Sequence, residues 1–206
     1  MTDQLVKFFI VFFVVVDPIS LIPLFAGLTQ GGSPRYKKMM AGKSVLIALS
    51  ICVLFALGGA KFLDIMGITL SSFRIAGGSL LFLIALDMVF ARTSGTRSTS
   101  SEREEAKKRE DISVFPLAFP FIAGPGALAT ILLTAGEVGA KPLLFLGLLC
   151  VVALVLVICW MLMLATPRLM KVLGVTGASV VSRLSGVILA ALAVQFMIDG
   201  IHGSFH

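Results

Sequence analysis

Charge is what this chain has least of. Asp, Glu, Lys and Arg make up 14% of its 206 residues, against 58% hydrophobic residues. That polar fraction cannot coat a soluble globule of this length, so the chain is read as an integral membrane protein. Histidine is equally scarce: His202 and His206 sit in the tail, too few and too poorly accompanied for a metal site. Three cysteines, Cys52, Cys150 and Cys159, all fall within apolar runs, and an odd number of thiols so placed excludes a disulfide framework. The net charge of +6 is not a nucleic-acid footprint, because the cations lie in loops between apolar runs. Catalytic signatures are missing too. No His-Glu-x-x-His or Gly-x-Ser-x-Gly occurs, and Gly42-Lys43-Ser44 lacks the glycine a phosphate loop needs where Lys37 stands.

What is present is long apolar runs. Six are long enough to cross a bilayer at about 1.5 Å per residue: roughly Val6–Leu28, Ser44–Leu63, Phe73–Phe90, Ile112–Ala135, Leu143–Ala165 and Ala178–Ile198. The stretch Phe8–Val16 resembles a signal-peptide core, but Asp-Pro and further apolar residues follow with no cleavage pattern, so it is expected to be retained. One connection, 92–111, carries dense charge of both signs and reads as a solvated linker. The expected organisation is one transmembrane domain, 1–206, with a three-span half at 1–91, the cytoplasmic linker at 92–111 and a second half at 112–206. Loops one, three and five hold twelve Lys and Arg, and the opposite side holds three, Lys7, Lys61 and Lys141. The positive-inside rule then places those loops in the cytoplasm and both termini outside.

The halves echo one another. Phe73-Arg74-Ile75-Ala76-Gly77 matches Ser182-Arg183-Leu184-Ser185-Gly186 at an offset of 109, and Pro18 matches Pro125 at an offset of 107. Because each half has three spans, the second must enter the membrane from the other side, which predicts an all-α fold of two inverted three-helix repeats.

Within that pattern, Asp17-Pro18 and Gly124-Pro125-Gly126 each interrupt an apolar span, about 17 Å and 18 Å in from Val6 and Ile112. Proline lacks an amide hydrogen and collides with the carbonyl four residues back, so spans one and four are expected to split into half-helices at mid-membrane. Asp17 and Gly124 would cap the second halves, with Pro18 and Pro125 as first helical residues. Non-helical backbone at that depth survives where protein or a solute cavity covers it. The amides of Ile19, Ser20 and Leu21 and of Gly126, Ala127 and Leu128 would face a carboxylate, and carbonyls near Val14–Val16 and Phe121–Ala123 an ammonium or cation. A small zwitterion fits, and the expected substrate-binding residues are Asp17, Pro18, Ile19, Ser20, Gly124, Pro125, Gly126 and Ala127. Pro116 and Pro120 fall in the first turns of span four and are assigned shape alone.

Other polar residues divide between coupling and structure. Asp17 either binds the substrate ammonium or carries a proton between sides, or it simply caps a half-helix. Arg74 and Arg183 lie near span starts, suited to snorkelling or to capping carbonyls of a neighbouring segment. Asp87 suits an interfacial partner such as Arg92. Gln195, Thr130 and Thr134 could line a cavity or bond to helix carbonyls. Ala178, Ser182, Gly186 and Ala190 recur every four residues and predict a small-residue ridge for close packing in span six.

Asp17-Pro18-Ile19-Ser20, Phe73-Arg74-Ile75-Ala76-Gly77-Gly78, Pro116-Leu117-Ala118 through Ala123-Gly124-Pro125-Gly126, and Arg183-Leu184-x-Gly186 together resemble the MarC family of bacterial inner-membrane proteins. The resemblance implies six spans in two inverted halves, a multi-pass protein of the inner membrane, and transport of small neutral amino acids such as glycine and alanine by alternating access. It also implies a substrate site at Asn-Pro-x-Gly and Gly-Pro-Gly breaks. Here Asp17 stands for the Asn and Ser20 for the Gly, adding a charge and a hydroxyl. The expected partners are a small neutral amino acid and the lipid bilayer, with no cofactor, no metal and no nucleic acid; a coupling ion, H+ or Na+, and the oligomeric state are left open. The competing readings are a passive solute channel and a non-transporting structural or signalling membrane protein.

Overall fold

The computed structural model describes residues 2–90, 111–138 and 141–205, and those residues are helical without strands. The elements in chain order are α1 (Thr2–Val16), α2 (Leu21–Leu28), α3 (Pro34–Ile65), α4 (Leu70–Phe90), a wide-turn segment (Ser113–Ile122), α5 (Pro125–Val138) and α6 (Pro142–Ser204). The charged linker 92–111, apart from Asp111, lies outside the described residues, as does Arg92, the expected partner of Asp87.

Among the described residues, five spans are long and apolar enough to cross a membrane: Asp3–Leu28, Pro34–Ile65, Leu70–Phe90, Pro142–Val172 and Ser179–Ser204. The pair Ser113–Ile122 and Pro125–Val138, bent by 56°, makes a sixth when counted as one. These follow the apolar runs of the sequence, with the helices extending past them. α3 begins nine residues before Lys43 because Ser33 is an N-cap whose hydroxyl accepts the Tyr36 amide, with Pro34 at the first turn. The cations of the first loop, Arg35, Lys37 and Lys38, therefore ride on helix. The fifth and sixth spans, both within α6, are two helices that meet at a kink, where Gly174 has non-helical backbone angles (φ 61°, ψ −178°). Glycine alone takes that conformation without a Cβ penalty.

α4 packs closely on the later part of α6. A Cβ on Gly186 would come within 3.1 Å of the Ala85 carbonyl, and one on Gly78 within 2.8 Å of the Ala193 carbonyl. The small-residue ridge is thus used for backbone approach at Gly186, and further along at Ala193 and Gly200, which lies under Ser71 and Arg74. Ser182 departs from its expected place: its hydroxyl is turned toward the interruption in span one. The buried centre collects Phe12, Val15 and Val16 of α1, Ala48 and Cys52 of α3, Leu81 of α4, Leu117 and Ile122 of the wide-turn segment, Ile131 of α5, and Leu148 and Cys159 of α6. Many large apolar side chains elsewhere are exposed, among them Leu54, Leu57, Leu146 and Val157, as expected where lipid is the solvent.

Two ion pairs fasten the wide-turn segment and α5 at opposite ends. Lys43 of α3 pairs with Asp111, and Arg74 of α4 with Glu137 of α5.

Candidate functional site

α1 runs to Val16 because its ladder continues to Asp17, whose amide donates to the Phe13 carbonyl at 3.0 Å. Asp17 then adopts a left-handed conformation, φ 51°. Aspartate and asparagine are the non-glycine residues that enter this region most readily, so the residue type matches the backbone. A turn follows, in which the Ile22 amide donates to the Ile19 carbonyl at 3.1 Å, and α2 begins at Leu21. Pro18 is therefore a turn residue and not the first residue of a helix as its sequence position suggested. The left-handed step at Asp17 displaces the helix start by three residues. α1 and α2 still pass as one 26-residue span.

Asp17 is 2% exposed. Its Oδ1 accepts the Ser20 amide at 3.4 Å, the capping contact foreseen from sequence. Its Oδ2 accepts the Ser182 hydroxyl at 3.5 Å, and Ser182 Oγ in turn accepts the Ser20 hydroxyl at 2.8 Å. Ser20, the N-cap residue of α2, has helical backbone angles and makes no side-chain capping bond; its hydroxyl donates to Ser182 instead. Ser182, read from sequence as a packing residue, is the group that sequence reasoning missed. Its position in the Ser-Arg-x-x-Gly echo of Phe73-Arg74 was a signal, but nothing local says which neighbour it meets.

The second interruption is built differently. Pro116 and Pro120 are buried and each follows a cis peptide, while Phe115 and Phe119 before them have extended backbone angles and Phe119 is exposed. The first part of this span is consequently no ordinary helix with two tolerated prolines; its hydrogen bonds skip five residues, as from the Ala123 amide to the Ala118 carbonyl at 2.8 Å. Two prolines four residues apart each remove an amide donor, which forbids a regular α-ladder across the segment. Pro125 then opens α5 as its first residue, and the Leu128 amide donates to the Gly124 carbonyl at 3.0 Å. Thr130, 1% exposed, donates its hydroxyl back to the Gly126 carbonyl at 2.9 Å, and Thr134 to the Thr130 carbonyl at 2.9 Å. Both threonines bond to their own helix.

These two regions touch. A Cβ on Gly126 would lie 3.2 Å from Cγ1 of Val15, two residues before Asp17. Val15 lines a narrow pocket with Pro120, Gly124, Pro125, Gly126 and Ala127, closed by Ile84 of α4. The space is about that of a single water molecule. Asp17, Pro18, Ile19 and Ser20, expected from sequence to bind substrate, are not among the residues that line it.

The remaining polar candidates fall away from the pocket. Arg74 is paired with Glu137, an acidic partner in place of the expected lipid interface or carbonyls. Arg183 is exposed. Gln195 is exposed too, its amide donating to Asp199 at 2.7 Å one turn on, so it does not line the cavity. At the other end, Asp111 accepts both the amide and the hydroxyl of Ser113, at 3.0 and 2.6 Å. Hydrogen bonds from Lys43 and Ser113 hold its carboxyl down at about 2.

Comparison with known proteins now decides the family. Residues 2–205 match the model of the MarC family integral membrane proteins. The chain belongs to the MarC family. It is 37% identical over 202 residues to the UPF0056 membrane protein YhcE of Escherichia coli K12, covering 97% of this chain and 92% of that one. It is 35% identical to a UPF0056 membrane protein of Methanocaldococcus jannaschii, covering 93% of each chain. With UPF0056 membrane protein YvbG of Bacillus subtilis the identity is 34% over 209 residues, across 100% of this chain and 97% of the relative. No solved structure matches the chain. This MarC-family chain is a multi-pass integral membrane protein, with relatives in archaea as well as bacteria.

Proposed function

We propose that this MarC-family protein is a secondary transporter of small neutral amino acids, glycine and alanine among them, working by alternating access between two inverted three-span halves. The observation that carries the reading is the contact between Val15, at the foot of the Asp17 interruption, and Gly126, behind the Gly-Pro-Gly bend. The last turn of α1, just before the Asp17 interruption, and the Gly-Pro-Gly bend, far apart in sequence, share one buried wall. Departures of this kind deep in an apolar bundle supply oriented backbone dipoles where side chains supply few charges. The amino end of α5 suits a carboxylate, and the Asp17 carboxylate suits an ammonium.

The pocket is too small for an amino acid as it stands, so entry requires the half-helices to part. The joint at Gly124-Pro125 and the ion pairs at either end of this span, Lys43 with Asp111 and Arg74 with Glu137, are where such a movement would pivot and release. Exposed ion pairs, worth about 0–1 kcal/mol, are weak enough to open in each cycle. The membrane we assign is the bacterial inner membrane, with the Lys43 end in the cytoplasm and both termini outside.

The test is flux in liposomes of the purified full-length chain, with radiolabelled glycine or alanine and each ion gradient imposed separately. Saturable uptake or exchange is expected. Flux that rises linearly with concentration and never accumulates solute would identify a pore, and no flux of any small neutral amino acid under any gradient would remove the transporter reading.

A further inference from the structure

We propose that the Lys43 end of the seam between α3 and the first part of α6 is a binding surface for the headgroup of an anionic phospholipid, held by Arg35 and Lys38 of α3 with Arg168 and Lys171 of α6. The two helices meet at Gly42 and Trp160: a Cβ on Gly42 would lie 3.8 Å from the Trp160 indole nitrogen, with nothing else within 4 Å. They run in opposite directions. Lys43 pairs with Asp111 and Gly59 packs on Leu132, so span four runs the same way as α3; α6 starts at Pro142, shortly after α5 ends at Val138, and returns toward the Lys43 end.

Spacing then puts the four cations on the seam. Lys38 and Arg35 precede Gly42 by one and two helical turns, and Arg168 and Lys171 follow Trp160 by two and three, so each shares the face of the residue that makes the contact. Measured from that contact they lie about 6, 10, 12 and 16 Å along their helices, all toward one end. Between and inward of them on the same faces, Leu164 and Leu46 are exposed and apolar. A phospholipid matches that order of charge outside and hydrocarbon inside, which a soluble anion does not.

The chain supplies no counter-charge of its own here. All four cations are exposed, and among the described residues none of them is in an ion pair. α3 has no acidic residue in its first turn, and Asp111 is already held by Lys43. The linker 92–110 brings six Lys and Arg against four Glu, so it adds positive charge to this end. Four like charges at the mouth of one groove favour an anion from outside the protein, and at a membrane surface the abundant anion is lipid phosphate. Trp160 fits the same depth, since tryptophan favours the boundary between headgroups and hydrocarbon. The surface uses neither Asp17 nor the Gly-Pro-Gly bend, so it stands or falls apart from the transporter reading.

Trp160 is the single tryptophan of the chain and reports on the seam directly. Full-length protein is reconstituted in vesicles of phosphatidylcholine and phosphatidylglycerol of constant composition, with an equal fraction of brominated acyl chains placed on one lipid or the other; bromine quenches indole fluorescence at short range. Brominated phosphatidylglycerol is expected to quench more, with an apparent preference over phosphatidylcholine of about threefold or more, falling as salt is raised. Replacing Arg35, Lys38 and Arg168 together by glutamine brings the preference to near one, whereas Lys61→Gln with Lys141→Gln, at the other end, leaves it unchanged. Should the triple variant fail to reconstitute, Arg168→Gln with Lys171→Gln decides, and is expected to cut the preference by about half or more. Equal quenching by the two lipids in the wild type, a preference that survives loss of the seam cations, or one lost just as readily with Lys61 and Lys141 overturns the surface.

Discussion

Asp17 shows how much a single residue type can settle. An aspartate at that point supplies a left-handed turn, a cap for the Ser20 amide and a buried carboxyl group at once, and each role can be read from different atoms. Asp111 shows the opposite case, a charge whose meaning lies in its partners. Its carboxyl is held at about 2, below the ordinary 3.8, first by the hydrogen bond from Lys43 and then by Ser113. A depressed carboxylate stabilises the fold above its unfolded value and stops doing so as pH falls through its folded one. The advantage of wild type over Asp111→Asn should therefore be constant above about pH 4 and vanish between about pH 4 and pH 2. Thermal unfolding in detergent across that range checks it. The Lys43 and Asp111 side chains are 48% and 45% exposed, so the pair's coupling energy in a double-mutant cycle should not exceed about 1 kcal/mol.

At the scale of elements, prolines had different consequences in different places. Pro34 and Pro142 open helices, as sequence position suggests. Pro18 falls in a turn, because the preceding residue turns left-handed. Pro116 and Pro120 convert ten residues into a wide-turn segment, although each alone would be tolerated near a helix start. Sequence reading treated them singly and so missed their joint effect. The bend at Gly174 makes a sharper prediction. Its φ of 61° with extended ψ is a glycine conformation, and the built Cβ meets nothing within 4 Å, so Gly174→Ala would cost backbone strain without a clash. The expected loss is about 1–3 kcal/mol of stability, or a straightening of α6. A lowered unfolding midpoint, together with a changed spin-label distance between positions 164 and 184, would report it.

For the whole molecule, six apolar runs and their loop charges were enough to expect a multi-pass helical protein; the spans follow those runs, although the second starts ten residues earlier, at Pro34, and the fifth ends seven residues later, at Val172. Orientation makes its own prediction at this scale. With a membrane-impermeant thiol reagent on intact cells, and Cys150 replaced by alanine as background, Lys37→Cys should stay unlabelled until the membrane is breached, and Lys61→Cys should label at once. The reverse pattern would invert the topology. Which half meets which was not legible, since Ser182 and Ser20 are neighbours only because α6 bends at Gly174 and returns beside α1 and α4. Nor was the pairing of Arg74 with Glu137, which joins residues 63 apart.

Composition, run length and proline position are local properties, and in a bilayer they are unusually binding, because every unpaired backbone group must find a partner inside the protein. They determined that this chain crosses the membrane repeatedly, and they marked residues 17–20 and 124–126 as places where regular helix would fail. Contacts between such places depend on how bent helices return on one another, and lipid offers no force that selects one pairing of apolar faces over another. Close approach at glycine and hydrogen bonds between hydroxyls and carboxylate do select. Those short-range contacts, Val15 on Gly126 and Ser182 on Ser20 and Asp17, exist only in the assembled structure.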